Sequence, residues 1–321
     1  MSSLEVIEQE KKEEMHQVLE LALEAGEILL KHGAEISRVE ETIDRICKKF
    51  LIETVDAFVL SNGIFITASN KEHEVFARVR AIPMSGIHLG IITEVNKLSR
   101  DIAAGNVDVA KAKERLQEIK NMPATNYIVQ IIGSGIGSAC FIYLLGATFW
   151  ECMMTMISGA AVFAALLIMK RFHLSKILTN ILGGGLITLL GILYTDCIVQ
   201  EGMRLSLIIS GSIFPLIPGV AFVNAIRDLA DSDFISGIVR MLDAILVFVY
   251  WSRNCSIDLC KPIWRCSVMI EVMLQMFCSF FGTMMFSTLF NVQRRYYFGC
   301  GLAGMLGWMG YYLAQPHLSS A

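Results

Sequence analysis

An apolar run long enough to cross a bilayer, but broken halfway by two prolines, constrains this chain more than any other feature. It covers residues 203–233, MRLSLIISGSIFPLIPGVAFVNAIRDLADSD, with Pro215 and Pro218 three apart and Gly219 directly after them. Each proline removes a backbone donor and crowds the carbonyl four residues back, so the helix has to open near mid-depth and release carbonyls from their partners. Lipid cannot satisfy such groups. Unwound backbone survives at that depth where protein buries it or where it lines a polar cavity, the device by which many secondary transporters build a substrate site. Proline kinks also occur in purely structural membrane helices, and both readings stay open at this point. The polar tail Asn224, Arg227, Asp228 and Asp231 closes the segment.

The charges separate the chain into two parts. Residues 1–120 hold 21 of the 30 acidic and 16 of the 27 basic side chains, leaving a remainder apolar enough to raise the mean hydropathy of all 321 residues to +0.55. That pattern predicts a soluble domain over 1–122 and an α-helical polytopic membrane bundle after it, with the boundary near Pro123. A net charge of -3 without a basic cluster argues against a nucleic-acid partner. The start, MSSLEVIEQEKKEEMHQ, lacks the basic-then-apolar pattern of a signal peptide, so the first domain is expected in the cytoplasm. Nine scattered cysteines with no C-x-x-C pair read as small buried hydrophobes, and neither a metal nor a cofactor is expected.

Within the soluble third, apolar residues at helical spacing predict helices over 13–32, stopped by Gly33, and over 37–50. TVDAFVLSNGIFITAS reads as two strands joined through Ser61-Asn62-Gly63, with a third strand over 73–82 and helices over 88–103 and 107–120. The result is a small α+β domain with helices on one face of an antiparallel sheet. Its polar candidates are Arg38, Glu40, Ser61, Asn62, Arg78, Arg80, His88, Asn96, Ser99 and Arg100. Ser61, His88 and Glu40 could be drawn as a nucleophile, a base and an orienting group. No local signature such as G-x-S-x-G supports the drawing, so no catalytic residue is expected.

Apolar spans fall at about 127–149, 152–169, 176–195, 204–226 and 235–250, a five-span module over 123–250. Lys120, then Lys170, Arg171 and Lys176, then Arg227 flank alternate spans and place the N-terminus and the 170–176 loop on the cytoplasmic side, with only Arg204 dissenting. Small residues crowd the first three spans, Gly183 to Gly185 among them, and predict close helix packing. Arg240 and Asp243 open the fifth span three residues apart, either as surface neighbours or as substrate and proton groups facing the bundle interior.

HGAEISRVEETI, SNGIFIT and IHLGIITEVNKLSRDIAAG, followed by five spans carrying FPLIPGVAFVNAIRDLADSDFISGIVR, resemble the threonine/serine exporter family (ThrE), in particular its split form, YjjP with YjjB. The resemblance runs from about residue 15 to 250. It implies a proton-motive-force-dependent secondary exporter of small carboxylate metabolites, threonine and serine in fused members and succinate in the split pair, multi-pass in the plasma (inner) membrane. It also matches the family's proline-glycine element to Pro218-Gly219 and its acidic and basic positions to Asp228 and Arg240. Pro215, Pro218, Gly219, Asn224, Arg227, Asp228, Arg240 and Asp243 therefore stand as candidates for substrate binding or gating.

After Tyr250 the pattern departs from the family. Residues 251–268, WSRNCSIDLCKPIWRCSV, form an irregular polar segment open to two readings: a frame slip, since a one-base shift of selected permitted codons returns a largely apolar string and a stop that overlaps the start codon of Met269, or an extracytoplasmic loop. Residues 269–321 resemble the start of the second family module, with two spans at about 270–289 and 297–314. That module's own proline-glycine span is missing, which implies a partner: a YjjB-like second-module chain, a homo-oligomer, or both, besides membrane lipid and the carboxylate substrate. A membrane-anchored hydrolase-like enzyme using the first domain and a non-transporting scaffold are the alternatives.

Overall fold

The computed structural model describes residues 3–50, 54–69, 75–83, 86–172, 174, 176–197, 204–252 and 269–318. It is mostly helical and divides into two compact units, Met1–Ala124 with Gly219–Ala244, and Thr125–Pro218 with Ile245–Ala321.

In the first unit, α1 (Ser3–Lys31) and α2 (Ile36–Lys49) precede a three-stranded antiparallel sheet of β1 (Thr54–Leu60), β2 (Gly63–Ser69) and β3 (Val75–Ala81), ordered β1-β2-β3. Helices α3 (Leu89–Ala103) and α4 (Val109–Lys120) follow. Gly33 ends α1 at φ +85°, and the N–H groups of Gly33 and Ala34 donate to Leu30 O and Leu29 O at 3.1 and 3.0 Å. This is the left-handed stop that glycine makes without a Cβ penalty. Alternation in β2 turns Ile64, Ile66 and Ala68 into a core shared with Leu21, Leu29, Ile43, Ile102 and Leu116. The hairpin loop is Ser61-Asn62, and Gly63 already belongs to β2. Its role is close approach: a Cβ there would lie 3.1 Å from the Arg80 carbonyl. The same unit contains α9 (Gly219–Ala230) and the first half of α10 (Phe234–Ser252).

The second unit holds α5 (Tyr127–Leu144), α6 (Phe149–Arg171), α7 (Lys176–Cys197), α8 (Leu205–Ser212), α11 (Met269–Leu289) and α12 (Tyr297–Leu318). Helix α5 offers small residues on two sides. A Cβ on Gly135 would meet the Met156 carbonyl of α6 at 2.7 Å, and one on Gly137 would meet the Phe286 ring of α11 at 2.9 Å. Ser134 Oγ also donates to Gly159 O at 2.9 Å, so α5 lies in backbone contact with α6, as apolar surroundings require of helices that must associate without a hydrophobic drive. The expectation for the third span is corrected here. Gly183 meets Leu216 only at an ordinary 3.4 Å and Gly185 meets nothing within 4 Å, so these two glycines do not mediate close packing.

The proline segment opens as its chemistry dictates. Helix α8 ends at Ser212, a 3-10 turn spans Phe214–Leu216 around Pro215, Ile217 is extended at φ -67° and ψ 122°, and α9 starts after Pro218. Among the described residues, Tyr127–Leu144, Phe149–Arg171 and Glu271–Leu289 are long and apolar enough to cross a membrane. Leu205–Leu216 with Gly219–Ala230 makes a fourth span if counted as one broken helix. The third expected span falls on α7, whose described apolar stretch is Leu178–Tyr194, and the expected spans 235–250 and 297–314 fall on α10 and α12. The segment 251–268 lies outside the described residues from 253 onward.

Arg204, which dissents from the charge rule, is paired with Glu151. Glu151 is fully buried at the start of α6, where it closes a capping box with Thr148. Its carboxylate also accepts from Arg204 N, Nε and Nη2 at 2.7, 3.1 and 3.0 Å, while Nη2 reaches Gly146 O at 2.7 Å. The buried carboxylate and the arginine thus form a charge-assisted ion pair between the starts of α6 and α8.

Candidate functional site

Helix α9 carries Asn224, Arg227 and Asp228 at spacings of three and four, which sets them on one face. The chain then reverses through a turn in which Ser232 takes φ +72° and the N–H groups of Ser232 and Asp233 donate to Leu229 O and Asp228 O at 3.2 and 2.8 Å. That turn returns α10 along α9 so closely that a Cβ on Gly237 would sit 2.7 Å from the Leu229 side chain. Arg240 thereby arrives opposite Asp228, and Nη1 and Oδ2 stand 3.0 Å apart with side-chain exposures of 3% and 1%. Burial of that degree leaves each charge dependent on the other.

The rest of the site comes from the corner between α1 and α2. The Asn224 amide donates to Gly33 O at 2.8 Å, Arg240 Nη2 donates to Ala34 O at 3.1 Å, and the Arg227 guanidinium pairs with the Glu35 carboxylate. Ile36 N–H donates to Asp228 Oδ1 at 3.3 Å, and Ser37 Oγ donates to Asp231 Oδ2 at 3.2 Å. Glu35 stands at the N-cap of α2 and makes no side-chain cap bond. The cap is supplied instead by Asp228, a carboxylate 192 residues away at the positive end of the helix. Among the described residues, two buried polar atoms of the pair, Arg240 Nε and Asp228 Oδ2, have no hydrogen-bond partner, the latter facing Arg240 as an ion pair without hydrogen-bond geometry. Asp233, in the turn, is held above the usual carboxylate range by burial and then by Asp231. Asp243 is half-buried one turn further along α10.

Asn224, Arg227, Asp228 and Arg240 thus come together, while Pro215, Pro218 and Gly219 form the helix break upstream of them. Sequence reasoning missed Gly33, Ala34, Glu35 and Ser37 as their partners. The available signal was a helix start at Glu35 with none of the usual Ser, Thr, Asp or Asn caps.

The polar residues of the first domain do not assemble into one site. Glu40 accepts Val59 N–H at 3.1 Å, and burial, opposed by that bond and reinforced by Asp233, raises its pKa. Ser61 and Asn62 make the hairpin loop, and Asn62 O accepts from Ile82 N at 2.7 Å. His88 caps α3, its Nδ1 accepting Ile91 N–H at 3.2 Å, and its ring stands edge-on to His32 at 5.9 Å. Among the described residues no hydrogen bond joins Ser61, His88 and Glu40. Thr42 donates to Asn96 Oδ1 at 3.4 Å and Arg45 to Ser99 Oγ at 3.0 Å, tying α2 to α3. Arg38 faces Glu35 at 3.8 Å, Arg78 lies 3.3 Å from the His16 ring, Arg80 pairs with Glu27 at 2.6 Å, and Arg100 is exposed in the last turn of α3.

Comparison with known proteins adds the following. A family model described as "Putative threonine/serine exporter" matches residues 20–252, and a second, "Threonine/Serine exporter, ThrE", matches residues 275–320. The chain is 24% identical over 237 residues to a Klebsiella aerogenes protein named "Probable succinate transporter subunit YjjP", covering 74% of this chain and 90% of that one. The Escherichia coli K12 protein of the same name is 23% identical, over 73% of this chain and 91% of that one. A Corynebacterium glutamicum protein named "Threonine/serine exporter" is 22% identical over 71% of this chain and 48% of its own length. No solved structure matches the chain.

Proposed function

From the premise that the chain belongs to the threonine/serine exporter family, a family of transporters and not enzymes, we propose that it exports small carboxylate metabolites through a site at the α9–α10 turn. It is an exporter subunit and a membrane protein. On this reading it sits in the plasma membrane with the first domain in the cytoplasm and works with a second-module chain of the YjjB type, with copies of itself, or with both. Threonine, serine and succinate are the substrates to consider, because these are the ones in the names of its relatives.

The observation that carries the reading is the convergence of Asn224, Arg227 and Arg240, three donors suited to a carboxylate, beside the buried acid Asp228. Guanidinium groups recognise carboxylates by parallel hydrogen bonds, and ionisable groups in membrane helices mark substrate or proton paths. The helix break at Pro215, Pro218 and Gly219 supplies a hinge or gate, and Asp243 lies along the same helix as Arg240.

Efflux of labelled threonine, serine and succinate from cells supplied with a second-module chain tests this. Asp228→Asn and Pro218→Ala, at equal membrane levels, are expected to lower efflux of at least one substrate on the order of tenfold. Efflux unchanged in both variants removes the site from α9 and α10.

A further inference from the structure

We infer that the corner at residues 33–37 is a self-ligand of this site: it holds the donors that a substrate carboxylate would take, and the site opens to substrate when the corner withdraws. The inference rests on the export reading above. Over five consecutive residues the corner presents two backbone carbonyls to Asn224 and Arg240, a carboxylate to Arg227, an N–H to Asp228 and a hydroxyl to Asp231. Acceptors on one side and an N–H and O–H on the other are what a small hydroxylated or amino carboxylate offers.

Two further observations separate this from an ordinary structural contact. The first is the imperfection of the fit. Among the described residues Arg240 Nε is buried without an acceptor, so a neutral carbonyl occupies a place where a carboxylate could engage two donors. The second is the chemistry of the junction. The apolar core of the first unit is built from α1 to α4 and the sheet, and no residue of 219–244 belongs to it among the described residues. The contacts that join the corner to α9 and α10 include five hydrogen bonds or ion pairs. Such contacts exchange for those of a polar ligand with little net change, whereas a core contact does not.

The consequence is competition within the molecule, in which the apparent substrate affinity is reduced by the fraction of time the corner is seated. The Glu35–Arg227 ion pair gives a test, because its two halves have opposite roles: Glu35 belongs to the occupant and Arg227 to the site. Uptake of labelled threonine, serine and succinate into inside-out vesicles containing the full chain and a second-module chain should show an apparent KM lowered by at least about threefold in Glu35→Gln and raised by a similar factor in Arg227→Gln. A merely structural ion pair moves both variants in the same direction, and that result, or no change in Glu35→Gln, overturns the inference while leaving export intact. If wild-type vesicles take up none of the three, the export reading fails. The corner is then judged on purified full-length Glu35→Cys, by alkylation of the introduced thiol with and without each compound. Faster labelling with any of them supports a displaceable occupant, and equal rates with all three overturn it.

Discussion

His88 works as a helix cap in its neutral form. Its Nδ1 accepts the Ile91 N–H at the start of α3, and the backbone N–H of His88 donates to His32 O at 3.3 Å, which ties α3 to the end of α1 beside the corner. Burial holds the imidazole below its ordinary pKa of 6.5 against the pull of backbone oxygens. Between the lowered folded value and 6.5 the unfolded chain binds the extra proton, so stability rises with pH through that window and is lost as pH falls through the folded value. The thermal midpoint of the detergent-solubilised protein is expected to drop between about pH 7 and about pH 5.5, with His88→Asn flattening the slope because asparagine keeps a cap acceptor and does not titrate. A slope equal in both proteins assigns the effect elsewhere. Glu40, with its raised pKa, acts in the opposite sense and at lower pH, so the difference between the two proteins isolates the histidine.

At the scale of elements, helix contact is decided by what each glycine faces and not by how many stand together. A Cβ on Gly135 would meet a backbone oxygen at 2.7 Å, which can yield only if α5 and α6 move apart, whereas Gly185 faces open space. Gly135→Ala is therefore expected to destabilise by about 1–3 kcal/mol, an overpacking cost. Gly185→Ala is expected to be neutral or to gain up to about 1 kcal/mol from helix propensity. Thermal unfolding in detergent checks both, and equal damage in the two variants would refute the assignment of contact faces. The run of three glycines was legible in the sequence, but its partner surface was not, because a one-dimensional pattern does not say which face looks at a neighbour. The three strands, α2 to α4 and the proline break were legible because periodicity, Asn-Gly chemistry and proline sterics act over a few residues. The corner's hold on α9 and α10 was not, because hydrogen bonds spanning 191 to 206 residues leave no local period. The pairing of Glu151 with Arg204 was not legible for the same reason.

For the whole molecule, the two family matches meet a structural counterpart: the first ends at residue 252, the second starts at 275, and helices from both lie in one compact unit. Helix α11 lies against α5, with a Cβ on Gly133 directed at Met285 and Thr288, Gly137 against the Phe286 ring, and Gly282 against Cys140. Gln130 Nε2 donates to Asn291 Oδ1 at 3.0 Å, and Thr125 N donates to the same oxygen at 2.8 Å, fixing the register of the pair at one end. These contacts join α5 to α11 and the turn that follows it, and they use no residue of 253–268, so the two modules should recognise each other without the connecting segment. Residues 1–252 and 269–321 co-expressed as separate polypeptides are expected to co-purify in mild detergent. Cys140 and Cys278 lie in hydrogen-bonding contact across the pair, so mild copper-catalysed oxidation should join the two fragments in a reducible band that Cys278→Ser abolishes and that Cys300 does not replace. Gly137→Leu places a branched side chain where the Phe286 ring lies within 3.1 Å, and should prevent co-purification. Fragments that co-purify equally well with Gly137→Leu would mean that the second module docks on another face, and fragments that never associate would mean that the connection, and not the α5–α11 contact, holds the modules together.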